Sequence, residues 1–205
     1  MAGIKDDLAI PMRIAQKPPR IAAGLAILAA GLLLPAVVRG APVPGATAGA
    51  ITAITLPVSG MTCVLCTRGV EESIKRIDGV LDVSAELATG LVRVQAAGGK
   101  SLNIRDVKDR VQKAGFLVGG ECVIEAVGRF SIGPEGRITF RVPGTAYAYQ
   151  VLEGPELYRL FKAHAGLRGD YFVVFRLHEH PRWKPPAMAI VRSEYRGPSS
   201  QASAR

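Results

Sequence analysis

The order of strand and helix patterns between residues 51 and 120 constrains the fold of this chain more than any other feature. The β-branched run at 51–59 predicts a strand. From about Cys66 to Asp78, apolar residues recur every three or four positions, which predicts a helix with a buried face of Val70, Ile74 and Ile77. Gly79 follows this helix, and glycine commonly ends helices.

A predicted hairpin and a second predicted helix complete this region. Apolar and polar residues alternate at 80–87 and 91–96, with Gly90 in the turn between them. A helical face is predicted at about 102–114, and an extended stretch begins at Phe116. The order β-α-β-β-α-β is that of a ferredoxin-like sandwich, an α+β fold with both helices on one face of an antiparallel sheet.

Two cysteines, Cys63 and Cys66, fall between the first strand and the first helix. A helix N-terminus lowers the pKa of a thiol, and the thiolate is the form that binds metal. Structural zinc takes four ligands and catalytic zinc three, yet residues 51–120 hold no further Cys or His. Two thiolates suit a soft ion of low coordination number, which predicts a site for Cu(I) or Hg(II).

The run GMTCVLC at 60–66, followed by helix, hairpin, helix and Ala114-Gly115-Phe116, resembles the heavy-metal-associated domain family. That family includes copper chaperones, modules of metal-pumping ATPases and periplasmic mercury-binding proteins. The resemblance covers about a third of the chain and implies that Cys63 and Cys66 are the metal ligands. It also implies that Met61 packs beneath the loop without binding metal and that Phe116 faces the site. Copper and mercury members share these residues.

Other interpretations of the Cys-x-x-Cys pair stay open. A thioredoxin-type dithiol also lies at a helix start, but such sites usually have Trp before the first cysteine and Gly-Pro between the two. Here Thr62 precedes the pair, and Val64 and Leu65 separate it. A structural disulfide would close so short a loop that it would add little stability.

The third cysteine, Cys122, lies on the strand predicted after Phe116. At about 3.3 Å per residue, this strand would carry it about 20 Å from the cysteine pair. We expect a small buried apolar side chain there, with pairing between chains as the alternative.

The N-terminus predicts export. Lys17 and Arg20 precede an uncharged apolar run at 21–38, which is typical of a signal peptide or membrane anchor within 1–40. The alternative is a buried helix. A flexible linker is expected at 41–50. Because basic residues precede the apolar run, the positive-inside rule places the folded part in the periplasm or otherwise outside the cytoplasm, with the N-terminal segment contacting the membrane if it is retained.

A second domain is predicted at 121–197. The patterns indicate three strands, a helix and two strands, at about 123–132, 136–142, 146–152, 155–165, 170–180 and 187–195. This order matches an OB-fold, a small five-stranded β-barrel. The tail at 198–205 is expected to be disordered.

His178 and His180 share one face of the predicted strand at 170–180, so they could chelate a second metal ion, with Met188 as a further ligand. Solvated histidines at a strand end are the commoner case. The segment at 181–186 predicts an exposed loop in which Trp183 could contact a partner.

The net charge of +9 is spread along the chain, so nucleic acid is not an expected partner. These features predict a non-enzymatic, exported protein that binds Cu(I) or Hg(II) through Cys63 and Cys66. It would pass the ion by thiolate exchange to or from a partner such as a membrane metal transporter. The rivals are a thiol–disulfide oxidoreductase and a metal-sensing or assembly module.

Overall fold

The structure, a computed structural model, describes residues 49–198. The predicted signal or anchor at 1–40, most of the linker at 41–50 and the tail after Pro198 lie outside the described residues. None of the helices within 49–198 has the length and apolar character needed to span a bilayer.

The first six elements follow the predicted β-α-β-β-α-β order. They are β1 (Ala50–Ser59), α1 (Val64–Lys75), β2 (Val80–Glu86), β3 (Leu91–Ala96), α2 (Ile104–Lys113) and β4 (Leu117–Val118). The strands form a sheet in the order β2-β3-β1, and β4 pairs with the far side of β1. The ferredoxin-like prediction is therefore confirmed.

Both helices bury the predicted faces, although α1 is shorter than predicted. Val70 and Ile74 are fully buried on α1, and α2 buries Ile104, Val107 and Val111. Helix α1 ends at Lys75, and the next residues form a turn in which Ile77 still packs against the core. The predicted end near Asp78 was wrong because a side chain can continue the apolar spacing after the backbone has left the helix.

The fourth strand of the sandwich is interrupted. After β4, Gly119 and Gly120 break the extended stretch, and β5 (Cys122–Ile132) then continues beside β1. Gly120 has a positive φ of 66°, a conformation that glycine adopts without steric cost.

The remaining elements close a five-stranded barrel. They are β6 (Ile138–Arg141), β7 (Ala148–Val151), α3 (Pro155–Ala163), β8 (Asp170–His178) and β9 (Ala187–Gly197). Hydrogen bonds join the strands in the closed order β5-β6-β7-β9-β8-β5. The predicted succession of three strands, a helix and two strands is confirmed, and the likeness to an OB-fold stays a prediction.

Strand β5 belongs to both halves of the fold. Its residues Val123–Val127 pair with β1 on one side and with β8 on the other. The predicted division between residues 120 and 121 therefore falls just before a strand that the two halves share. One hydrophobic core extends across both, from Val70 on α1 to Phe175 on β8.

Helix α2 also contacts the barrel directly. The Tyr147 hydroxyl donates a hydrogen bond to Asn103 Oδ1 at 2.6 Å and accepts one from the Ile104 amide at 3.2 Å. Lys108 forms an ion pair with Glu179, which follows β8. The barrel thus supplies a side chain that satisfies an amide at the N-terminus of α2.

Gly128 lies where β5 exchanges its neighbour β1 for β6. A Cβ atom there would lie 2.3 Å from the Arg141 carbonyl oxygen and 2.6 Å from Phe140 Cζ. We expect Gly128→Ala to lower the free energy of unfolding by about 1–3 kcal/mol because the strands must separate to admit the methyl group. Chemical denaturation followed by circular dichroism measures this. Gly119→Ala is the control, with no atom within 4 Å of the added Cβ, and an equal effect of both changes would contradict the prediction.

Candidate metal centre

The loop between β1 and α1 holds the cysteine pair, just beyond the C-terminal end of β1. Gly60 has a φ of 98°, which turns the chain away from β1. Met61 then points into the core, where it is buried with the apolar residues of the sandwich. The ring of Phe116 lies close to Gly60, 3.6 Å from the position of an added Cβ. These contacts agree with the packing role that the resemblance implied for Met61, and they place Phe116 beside the loop.

Cys63 caps the N-terminus of α1. Its backbone is extended, with φ −150° and ψ 162°, and its Sγ accepts a hydrogen bond from the Cys66 amide at 3.3 Å. Its carbonyl oxygen accepts from the amides of Cys66 and Thr67 at 3.0 and 3.2 Å. The sulfur thus takes the position in which a serine or aspartate oxygen usually caps a helix. This cap directs Cys63 toward the first turn, where Cys66 lies.

Both thiols are free and reachable, since Cys63 is exposed and Cys66 is half-buried. The pKa of Cys66 lies below its ordinary value, mainly because of a hydrogen bond with the Cys63 thiol and then one with the Thr62 main chain. Burial of the sulfur opposes this lowering. The thiolate, which is the metal-binding form, is therefore favoured at Cys66. The sequence analysis did not predict that Thr62 lowers the pKa of Cys66. The position of Thr62 directly before Cys63 is the one sequence feature that could have suggested this.

Among residues 49–198, the two cysteine sulfurs are the candidate ligands at this loop. Across residues 49–198, no group of three or more His, Cys, Asp or Glu side chains is arranged to hold a metal ion. Such a dithiol suits a soft ion and does not provide the three or four protein ligands of an ordinary zinc site.

Exposed apolar side chains lie within the cysteine loop and on β4, whose Leu117 pairs with Ser59 just before the loop. Leu65, between the two cysteines, is 76% exposed, and Leu117 on β4 is 72% exposed. Val64 is also exposed at the start of α1. Exposed apolar groups beside a ligand site are typical of surfaces that contact another protein.

The sequence offered a second metal site at His178, His180 and Met188 as the rarer alternative to solvated histidines, and the structure gives these three side chains different surroundings. Strand β8 ends at His178, so the alternation that placed both imidazoles on one face does not reach His180. His178 Nδ1 lies 2.9 Å from Glu121 Oε1, whereas His180 Nδ1 accepts a hydrogen bond from the Arg182 amide. Met188 is fully buried in the barrel. The loop with Trp183 is exposed, as predicted.

Cys122 is only 3% exposed and lies opposite Leu177 of β8. Burial raises the pKa of this thiol, so it stays protonated and behaves as a small apolar group. The prediction of a buried side chain is confirmed. Pairing between chains is disfavoured because the sulfur is covered.

These features define a ferredoxin-like domain that displays a dithiol at a strand-to-helix junction. The heavy-metal-associated domain model matches residues 55–116. The copper chaperone CopZ of Bacillus subtilis is 36% identical over 64 residues, which are 31% of this chain and 91% of that protein. The chain therefore belongs to the heavy-metal-associated domain family.

Solved structures give similar alignments over the same third of the chain. The structure of a CopZ metallochaperone is 32% identical, with 33% of this chain and all of that chain covered and a TM-score of 0.31. A copper-binding domain from the P-type ATPase HMA7 is 28% identical, with 34% of this chain and 92% of that chain covered and a TM-score of 0.31.

The environment of Cys66 predicts how its reactivity depends on pH. We expect alkylation of Cys66 in the reduced, metal-free protein to show a midpoint at a lower pH than that of an ordinary exposed thiol, because the pKa of Cys66 is lowered. Cys63→Ala should raise this midpoint because it removes the hydrogen bond that lowers the pKa most. Mass spectrometry of iodoacetamide-treated peptides follows each site separately, with Cys122 as the unreactive internal control. A Cys66 midpoint unchanged by Cys63→Ala would contradict this account.

Proposed function

We propose that this protein is a non-enzymatic carrier of a soft metal ion, with Cys63 and Cys66 as its two ligands. The observation that carries the proposal is the accessible thiol pair at the N-terminus of α1, which has no third candidate ligand among the described residues. Thiolates in this position gain from the partial positive charge of the helix end. A site of two sulfurs favours ions that accept low coordination.

Copper in the Cu(I) state is the cargo that we favour. The relative that is 36% identical is a copper chaperone, and the match covers 91% of that relative. Hg(II) also suits two thiolates, and it is therefore the alternative cargo that a binding experiment must test.

Transfer would proceed by exchange of thiolate ligands. A thiolate of the partner adds to the bound ion while Cys63 and Cys66 still hold it, and one of these two sulfurs then leaves. Cys63 is exposed and can meet the incoming ligand, whereas Cys66 is partly covered. The partner would be a metal donor or acceptor with its own thiolates, such as a membrane metal transporter, and Leu65 and Leu117 offer it an apolar contact surface.

We also propose that the carrier works outside the cytoplasm. The support is the sequence pattern alone, in which Lys17 and Arg20 precede the uncharged run at 21–38. Cell fractionation of the full chain tests this. We expect the protein in the periplasm or bound to the membrane facing outward, and recovery in the cytosol would overturn the proposal of export.

Titration of the reduced chain tests metal binding. We expect one Cu(I) per chain in competition with a Cu(I) chelator, and much weaker binding of Zn(II) because the site lacks further ligands. Cys63→Ser and Cys66→Ser should each lower the affinity for Cu(I) more than about a hundredfold, or about 2.7 kcal/mol. Cys122→Ser and His178→Ala are matched controls that should leave the stoichiometry unchanged, since neither residue lies in the loop.

Three results would change the assignment. Hg(II) bound in preference to Cu(I) in the presence of thiols would make mercury the cargo. Unaltered Cu(I) binding in the two serine variants would place the site elsewhere. Failure to bind any soft ion, together with thiol-dependent reduction of insulin, would support an oxidoreductase instead.

A further inference from the structure

Strand β9 extends well beyond its neighbour β7 in the barrel. The two strands pair at Ala187 and Met188, whereas β8 stays paired with β9 as far as Gly197. Among the described residues, the stretch 190–197 therefore has a strand on one side and none on the other. The main-chain N–H and C=O groups of such an edge can pair with a strand of another chain.

Apolar and aromatic side chains are exposed along this edge. On β9 itself, Val191 is 50% exposed and Tyr195 is 40% exposed. Helix α3 packs against β9 and also exposes Tyr158 and Phe161. Aromatic residues and arginine are enriched where proteins contact one another, and exposed apolar groups that lie together mark such surfaces. The composition of this edge therefore favours a protein as its partner.

Charges of opposite sign alternate along one face of the edge, at Arg192, Glu194 and Arg196. Both guanidinium groups lie over the ring of Phe172 on β8, at 5.8 Å for Arg192 and 5.3 Å for Arg196. No carboxylate among the described residues pairs with Arg192. The side chain of Glu194 is 58% exposed, and Arg196 is 3.7 Å away from it. Arg192 and Glu194 can therefore each accept an opposite charge from another molecule.

We propose that the β9 edges of two copies of this chain pair in antiparallel fashion about a two-fold axis at Ser193, which joins the two barrels into a dimer. In an antiparallel pair centred on one residue, the residue before the centre lies opposite the residue after it in the other copy. Arg192 of each copy therefore lies opposite Glu194 of the other, which gives two ion pairs. In the same way, Val191 of each copy lies opposite Tyr195 of the other.

The order of the charges favours this register over its neighbour. Pairing centred on Glu194 would bring the two Glu194 side chains together and would set Arg192 against Arg196. Like charges directly opposite each other destabilise a pair of strands. Pairing centred on Ser193 instead sets opposite charges against each other twice. The strand is also regular at this place, because Arg192–Tyr195 pair with β8 without interruption.

Analytical ultracentrifugation of the reduced, metal-free, full-length chain tests the dimer. We expect a reversible monomer–dimer equilibrium. Glu194→Arg should raise its dissociation constant at least about tenfold, because two attractions become two repulsions. Arg192→Glu combined with Glu194→Arg exchanges the two charges and should restore the association. Glu135→Arg is the matched control, since it also removes a glutamate paired with a nearby arginine, in the exposed turn between β5 and β6, and it should leave the association unchanged.

Hydrogen exchange at two protein concentrations locates the contact. Main-chain amides within 191–195 should exchange more slowly at the higher concentration, whereas those of β2, at the other end of the sheet, should not change. Concentration-dependent protection at the cysteine loop alone would overturn the proposal.

Three results of the ultracentrifugation would also overturn it. They are a monomer at every concentration, a dimer that Glu194→Arg does not weaken, and a double variant that fails to regain the association. The Cu(I) stoichiometry per chain should be the same in every variant, because the edge carries no cysteine. Failure of the dimer is therefore distinguishable from failure of the proposed metal carrier.

Discussion

The shared pairing of β5 is the interaction on which the rest of the structure depends. Residues 123–127 of this strand are hydrogen-bonded to β1 of the sandwich and, on the other side, to β8 of the barrel. At Gly128 the strand passes from β1 to β6, where the Arg141 backbone approaches so closely that no side chain fits. The two halves are therefore joined by a continuous sheet and a common core, and a flexible tether does not separate them.

The position of the cysteine loop depends on this sheet through β1, the strand that precedes the loop. Strand β1 is held on both sides, by β3 and by β5 with β4, so the position of Gly60 at its end is well determined. Buried Met61 then anchors the loop, and the amides at the start of α1 bond to the Cys63 carbonyl and sulfur. The cysteines are exposed while their backbone is held in place, an arrangement that suits an ion that must be bound and then released.

Local patterns of residues account for much of the fold. The bounds of β1, β2, β3 and α2 follow from short-range alternation and helical spacing, which reflect the burial of one face. The approximate bounds of the six elements from β5 to β9, including α3, also follow from the sequence, because turn residues separate these elements. The predicted ends of two elements were wrong because the spacing of side chains continues after the helix or strand has ended. Ile77 continues the face of α1 after the helix has ended, and His180 continues the count of β8 after that strand has ended.

The sequence by itself determined the order of the elements and the place of Cys63 and Cys66 at a strand-to-helix junction. It also showed that no other Cys or His lies in residues 51–120 to serve as a further metal ligand. Each of these depends on residues close together in the chain. Only the tertiary structure decided that β5 pairs with strands of both halves, that Met188 is fully buried, and that the Tyr147 hydroxyl bonds to the start of α2. These features depend on strand pairing between distant residues, such as Cys122 with Leu177, and no local pattern of residues encodes such a partner.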